Sequence, residues 1–285
     1  MYKLIRKKDI KINGKRCDIS ARLNTGDKVD IYINDKLNRP KADFSFLDAP
    51  DDINIIFEDE NIIIVFKPSG LTVHCDNEHE NDTLINRIKH YLYNNNSYNP
   101  ETENSFAPAL CSRLDKNTCG IVTAAKNAAA LREVNEAVRN GNVTKIYRCI
   151  AVGTPEKSED ILEAFHFKEP SGNTVKISNM PMDKYKPIKT GYKTIKCKNG
   201  LSLLEVTLYT GRTHQIRAHL ASIGLPILGD PKYGIPEINN QYKIFNQALC
   251  AHSLTFRFDK NSPLFYLDNK TFSAPSQSFE DLVTS

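Results

Sequence analysis

Ser112-Arg113-Leu114-Asp115-Lys116-Asn117-Thr118-Cys119-Gly120, running on through Ile121 and Val122 to Lys126, sets the frame for the chain. A carboxylate, Asp115, precedes a turn-forming run that ends at Gly120, and a short apolar segment follows. Asp and Asn favour turns because their short side chains bond the local backbone, and Gly tolerates left-handed torsions. The stretch reads as a tight turn between two ordered segments, with Asp115 held by the backbone and aimed outward. Loops on a rigid scaffold often carry chemistry. Taken alone, the same residues also fit an ordinary surface turn.

Upstream, Ile62-Ile63-Ile64-Val65-Phe66 is apolar on both faces, which places it inside a sheet rather than at an edge. It ends at the turn signal Lys67-Pro68-Ser69-Gly70. Leu84, Ile88 and Leu92 recur at helical spacing, and the polar stretch 94–105 reads as an exposed loop. Downstream, Leu131, Val134 and Val138 mark one face of a helix that Gly141 stops. Lys145 to Val152 alternates as a strand, and strand-like runs lie near 173–178 and 189–197. Asn199-Gly200 joins the last of these to Leu201–Tyr209, a hairpin signal. A helix over 213–223 turns Ile216, Leu220 and Ile223 to one side and ends at Gly224. Ala251, Leu254, Phe256 and Phe258 suggest a late strand. Many hairpin-linked strands with few helices between them imply an α+β fold. Its mixed sheet is mainly antiparallel and flanked by helices and loops.

The chain has 285 residues, enough for one large domain with a small appendage. Residues 1–34 form that appendage, with strand-like Ile10-Lys11-Ile12, an Asn13-Gly14 turn, a Gly26-Asp27 turn and a second strand through Ile33. Residues 35–52 read as a linker containing Pro40 and Pro50, and 53–285 as the main domain. The appendage carries nine basic and four acidic residues, against 29 and 30 in the remainder. The whole basic excess therefore sits in the first segment, which suits a polyanion such as RNA. No apolar run is long enough to span a bilayer, and no signal peptide is visible. Seven scattered cysteines without a Cys-x-x-Cys pair argue against disulfides and zinc and fit a reducing cytoplasm.

Dinucleotide, phosphate-loop, zinc-protease and serine-hydrolase motifs do not occur. His214 and His219 are five apart, off the spacing that stacks two ligands on a helix face, so no metal is expected. What stands out is Thr210-Gly211-Arg212-Thr213-His214-Gln215-Ile216-Arg217-Ala218-His219 at a strand-to-helix junction. A helix start attracts anions, and Arg212, His214 and Arg217 add donors suited to phosphate or carboxylate. Arg217 also fits a plain surface arginine, and Tyr147 a core residue of its strand.

Several of these stretches together resemble the RluA-type pseudouridine synthases. They are Lys67-Pro68-Ser69-Gly70-Leu71-Thr72-Val73-His74, Arg113-Leu114-Asp115 with Thr118 and Gly120, Lys145-Ile146-Tyr147, and Gly211 to Leu220 followed by Gly224 to Asp230. The resemblance covers roughly residues 55–280, with Ser112 where the family usually has His and Cys119 where it usually has Ser. It implies conversion of uridine in RNA to its carbon-linked isomer, without cofactor or metal. It implies Asp115 as the essential carboxylate, Arg217 as its ion-pair partner and Tyr147 as the ring lying on the target base. It further implies Arg113 in the gap left by the flipped base, Ile216 against the uracil, and Lys67, Arg212 and His214 as RNA contacts. The appendage resembles the second half of an S-four-like RNA-binding domain, which favours large-subunit ribosomal RNA as substrate, with transfer RNA as the other candidate. A cytoplasmic monomer is expected. The competing reading is a non-catalytic RNA-binding or RNA-folding protein that keeps the pocket. The sharpest structural expectation is that Asp115 lies within salt-bridge reach of Arg217, with the Tyr147 ring beside the same cleft.

Overall fold

The computed structural model describes residues 5, 9–32, 42–74, 81–103, 106–169 and 174–284. The chain divides into two compact units, Met1–Asp43 and Phe44–Ser285. In the first, β1 (Ile10–Ile12), β2 (Lys15–Arg16) and β3 (Val29–Ile31) form a three-stranded antiparallel sheet in the order β2-β1-β3. Asn13 and Gly14 both take positive φ, 49° and 76°, the twist a two-residue hairpin needs. Val29, Ile31 and Tyr32 are exposed, and Ile10 is the buried apolar residue among those described in this unit. Ile33 and Asn34 of the appendage and residues 35–41 of the expected linker lie outside the described residues.

The second unit holds β4 (Asn54–Glu58), β5 (Ile62–Lys67), β6 (Ala109–Leu110), β7 (Cys119–Ala125), β8 (Val143–Val152), β9 (Glu159–Lys168) and β10 (Val175–Ser178). After these come β11 (Lys186–Lys198), β12 (Leu201–Leu208), β13 (Leu249–Phe256) and β14 (Thr271–Ser273). They make one sheet whose main path is β10-β9-β11-β12-β8-β13-β7-β5-β4. Every pairing is antiparallel except β13 with β7, so the expected α+β class with a mainly antiparallel sheet describes the molecule. Ile62, Ile63, Ile64 and Val65 on β5 are fully buried. Ile63 and Val65 join one core and Ile62 and Ile64 another, as the two-residue period of a strand covered on both faces requires. Among the described residues no helix is long and apolar enough to cross a membrane.

Several boundaries differ from the sequence reading. Residues 44–52, read as linker, belong to the second unit: Ser45–Asp48 is a short 3-10 helix and Phe46 is buried. The rings of Phe44 and Phe46 meet Tyr93, and Phe46 also meets Tyr98, so apolar residues scattered in polar surroundings dock the segment. Tyr98 is buried as well, so the 94–105 loop is not exposed throughout. The helix Ala128–Arg139 buries Ala130, Val134 and Ala137 and exposes Val138, because its small residues face the sheet. The later helix is shorter than expected, Gln215–Ser222, and Ile223 lies exposed beyond it.

Gly120 fixes where the central turn sits. It has φ +121°, and a Cβ there would stand 2.4 Å from backbone atoms of Ala251. Only glycine lets β7 run this close to β13, where Gly120 pairs with Ala251 immediately after the Asp115 turn.

Candidate active site

The Asp115 turn is anchored by its main chain. The amide of Thr118 donates to the Asp115 carbonyl at 3.0 Å, closing the turn. Ser69 Oγ donates to the Asn117 carbonyl at 2.9 Å, and the Gly70 amide to that of Lys116 at 3.0 Å. Lys67 Nζ donates to the carbonyls of Pro68, Leu71 and Lys116 at 2.9, 2.8 and 2.9 Å. From the far side Gln247 Nε2 holds Thr118 Oγ1 at 3.0 Å. An ammonium has three donors, and Lys67 directs all three to backbone while being fully buried. Burial pulls its pKa down to about 8, against the opposing pull of Cys119 and Asp115. Lys67, expected as an RNA contact, is therefore a fastener that joins the 67–71 turn to the 115–118 turn.

The second half of the site comes from the helix Gln215–Ser222. Arg217 Nη1 donates to Asp115 Oδ2 at 2.7 Å across 102 positions of sequence. Its Nε and Nη2 donate to the two oxygens of Asp230 at 2.7 and 2.9 Å. The Arg217 side chain is 5% exposed, Asp230 0% and Asp115 30%, so one buried guanidinium bridges a sealed carboxylate and an accessible one. Burial alone would raise the pKa of Asp230, but Arg217 and the amides of Lys232 and Tyr233 hold it below its ordinary value. Arg217 in turn stays charged despite its own burial. It is thus committed to carboxylates and is not a phosphate ligand.

Tyr147 lies in the middle of β8 and is 8% exposed. Burial first, and the nearby Asp115 carboxylate second, push its phenol pKa up. It shares a core with Leu114 and buried Ile216, and it lines a cavity of about 30 Å³ with Ser112, Arg113, Lys145 and Ala251. Arg113 is exposed at this rim. The structure thus brings Asp115 and Arg217 into contact, with Tyr147 near the carboxylate, Arg113 at the rim of the Tyr147 cavity and Ile216 in the same core as Tyr147.

The remaining polar residues of the 210–219 patch divide. Arg212 is exposed. Gln215 is buried and ties β11 to the helix, receiving Thr210 Oγ1 and the Arg212 amide on Oε1 and donating to Lys189 O and Thr190 Oγ1. His219 Nδ1 meets Thr190 Oγ1 at 3.0 Å, and burial pushes its pKa down to about 4. His214, with φ 52°, caps the helix and turns its ring into the cleft, where Nε2 is 3.9 Å from Asp115 Oδ2 and Nδ1 is 2.9 Å from Tyr233 Oη. Sequence reasoning assigned no role to Asp230, Tyr233 or Gln215. The one available signal was Gly229-Asp230: at φ +77°, a Cβ on Gly229 would meet Asn246 O at 2.3 Å. Cys119 is buried with Sγ 3.5 Å from Leu249 O, so the thiol serves the sheet and does not support Asp115.

A solvent-reachable carboxylate is thus bonded to a buried arginine near a tyrosine on the mixed sheet. Residues 61–222 match the family model described as RNA pseudouridylate synthase. The chain is 33% identical over 261 residues to an uncharacterised RNA pseudouridine synthase of Mycoplasma pneumoniae, covering 90% of this chain and 79% of the relative. It is 32% identical over 247 residues to ribosomal large subunit pseudouridine synthase C of Rickettsia felis, covering 83% and 76%. Human RNA pseudouridylate synthase domain containing 4 shares the fold with TM-score 0.62 and 24% identity, covering 79% of this chain and 89% of that one. The chain belongs to the RNA pseudouridylate synthase family, and it is an RNA-modifying isomerase.

Proposed function

We propose that this enzyme isomerises uridines of large-subunit ribosomal RNA and that Asp115 is the reacting carboxylate. The observation that carries the reading is the 2.7 Å bond from buried Arg217 to an accessible Asp115. In the reaction the bond from N1 to the sugar C1′ breaks, the uracil turns, and C5 bonds to C1′. C5 then gives up its proton and N1 gains one, so the product is an isomer of the substrate. Asp115 serves as nucleophile at C1′ or as base at C2′; both roles need the anion, which an adjacent cation favours. The Tyr147 ring lies on the flipped base. Base–aromatic stacking of about 1–3 kcal/mol offsets much of the few kcal/mol that unstacking costs. Arg113 on the rim fills the space the base leaves, Ile216 backs the uracil, and exposed Arg212 meets phosphate. The basic N-terminal unit adds sequence-independent attraction to RNA. We place the enzyme in the cytoplasm, acting as a monomer.

The ribosomal target is supported by the name of the Rickettsia felis relative. The test is tritium release from transcripts labelled at uridine C5. Release from large-subunit ribosomal RNA, and little from transfer RNA, is expected. Release confined to transfer RNA would contradict the target, and release from neither would contradict the activity.

A further inference from the structure

Three groups lead from β10 to Asp115. The Val175 amide donates to Tyr233 Oη at 2.9 Å. The same oxygen is 2.9 Å from His214 Nδ1. The other ring nitrogen, Nε2, is 3.9 Å from Asp115 Oδ2. The geometry is well braced. The His214 and Tyr233 rings meet edge to face at 5.7 Å, and the Arg217 guanidinium lies over Tyr233 at 5.4 Å.

The direction of each hydrogen follows from chemistry. An amide N–H can only donate, so Tyr233 Oη accepts from Val175. Its own hydrogen then needs an acceptor, and among the described residues its remaining hydrogen-bond partner is His214 Nδ1. If Nδ1 accepts, the proton of a neutral imidazole sits on Nε2. The ring is neutral: burial above all, with Arg217 and Lys232 opposing the pull of Asp115, pushes its pKa down to about 4.

We infer that Val175, Tyr233 and His214 form a relay that fixes His214 as the Nε2–H tautomer and aims that N–H at Asp115 Oδ2. His214 and Tyr233 are thereby positioning residues for the carboxylate, a role that rests on reading Asp115 as the reacting group. Arg217 and His214 both face the same oxygen, so Oδ1 is the one presented to the sugar. The 3.9 Å separation is longer than a hydrogen bond and closes when substrate seats the carboxylate, as catalytic contacts commonly do. A neutral donor orients the anion without adding a second cation that would weaken it as base or nucleophile.

The experiment is a long-range 15N–1H correlation spectrum of the histidine rings in RNA-free enzyme, with His214 assigned by its substitution. The expected result is a protonated Nε2 and an acceptor Nδ1 for His214. Tyr233→Phe should lose this fixed tautomer and slow single-turnover pseudouridine formation about tenfold, with RNA affinity unchanged. His214→Gln, which keeps an N–H, should retain more turnover than His214→Leu. A protonated Nδ1 in the wild type, or Tyr233→Phe with tautomer and turnover both unchanged, would overturn the relay. The tautomer is read without RNA, so its failure is distinguishable from failure of the pseudouridine synthase reading, which turnover alone reports.

Discussion

The two halves of the site are held in opposite ways. Around Asp115 most of the fixing bonds end on backbone carbonyls, with Lys67, Ser69 and Gly70 as donors, and one joins the Gln247 and Thr118 side chains. Around Arg217 they run between side chains, from two aspartates to His214 and Tyr233. Main-chain anchoring sets where the carboxylate stands through bonds that do not touch the carboxylate itself. Side-chain anchoring sets its ionisation and which oxygen is offered. Substitutions in the two halves should therefore fail differently.

The largest effect belongs to the side-chain half. Arg217→Met would leave Asp230 ionised, buried and unpaired, and breaking such a pair costs about 3–5 kcal/mol. Urea denaturation should show this loss, and turnover should fall by at least about 100-fold. The double variant Arg217→Met/Asp230→Leu sharpens the comparison. It removes both buried charges, so much of the stability should return while activity stays lost, since Asp115 still lacks its partner.

On the backbone half, Lys67→Met takes a donor from three carbonyls, of which, among the described residues, only that of Lys116 keeps another, the Gly70 amide. An unmade buried hydrogen bond costs about 1–3 kcal/mol, partly offset here by removing a buried charge. A net loss of about 2–3 kcal/mol is expected, with RNA affinity unchanged when measured on folded protein. A clear loss of RNA affinity would make Lys67 an RNA ligand after all and erase the distinction between the halves.

A pH-dependent effect, smaller for each residue taken singly, comes from His214 and His219, both pushed to about 4 by burial. Their folded pKa values lie below the ordinary value of about 6.5, so the unfolded chain takes up protons first as pH falls. Their stabilising contribution is complete above pH 6.5 and is lost progressively towards pH 4. At pH 5 each should cost about 2 kcal/mol relative to neutral pH. Urea midpoints at pH 7 and pH 5 would show this, and His219→Gln should reduce the difference by roughly half. An unchanged difference in that variant would place the acid sensitivity elsewhere.

Much of this molecule was legible in its sequence. The four apolar residues of β5, the Asn199-Gly200 hairpin and the spacing of Leu84, Ile88 and Leu92 follow from strand, turn and helix periods that are local properties of the chain. Asp115 and Arg217 were paired through the family resemblance; no period could have joined positions 102 apart. What sequence hid was the destination of the polar side chains. Lys67 looks like a ligand in a one-dimensional motif because exposure cannot be read from residue type, yet it is buried and committed to backbone carbonyls. β9 escaped for a related reason, because its exposed acidic positions mask the alternation that buries Ala164 and His166. The docking of 44–52 escaped because a few aromatic residues outweigh a polar composition.

The central claim is that Asp115 is the reacting carboxylate, with Arg217 keeping it ionised. Single-turnover conversion of labelled uridine in saturating ribosomal RNA by Asp115→Asn tests it most directly. The variant keeps the size of the side chain and the main-chain bonds of the turn, so it should fold and bind RNA as the wild type does. Conversion should fall on the order of 10⁴-fold or more, as expected when the reacting group itself is removed. Conversion within about tenfold of the wild type, a barrier change near 1.4 kcal/mol, would contradict it.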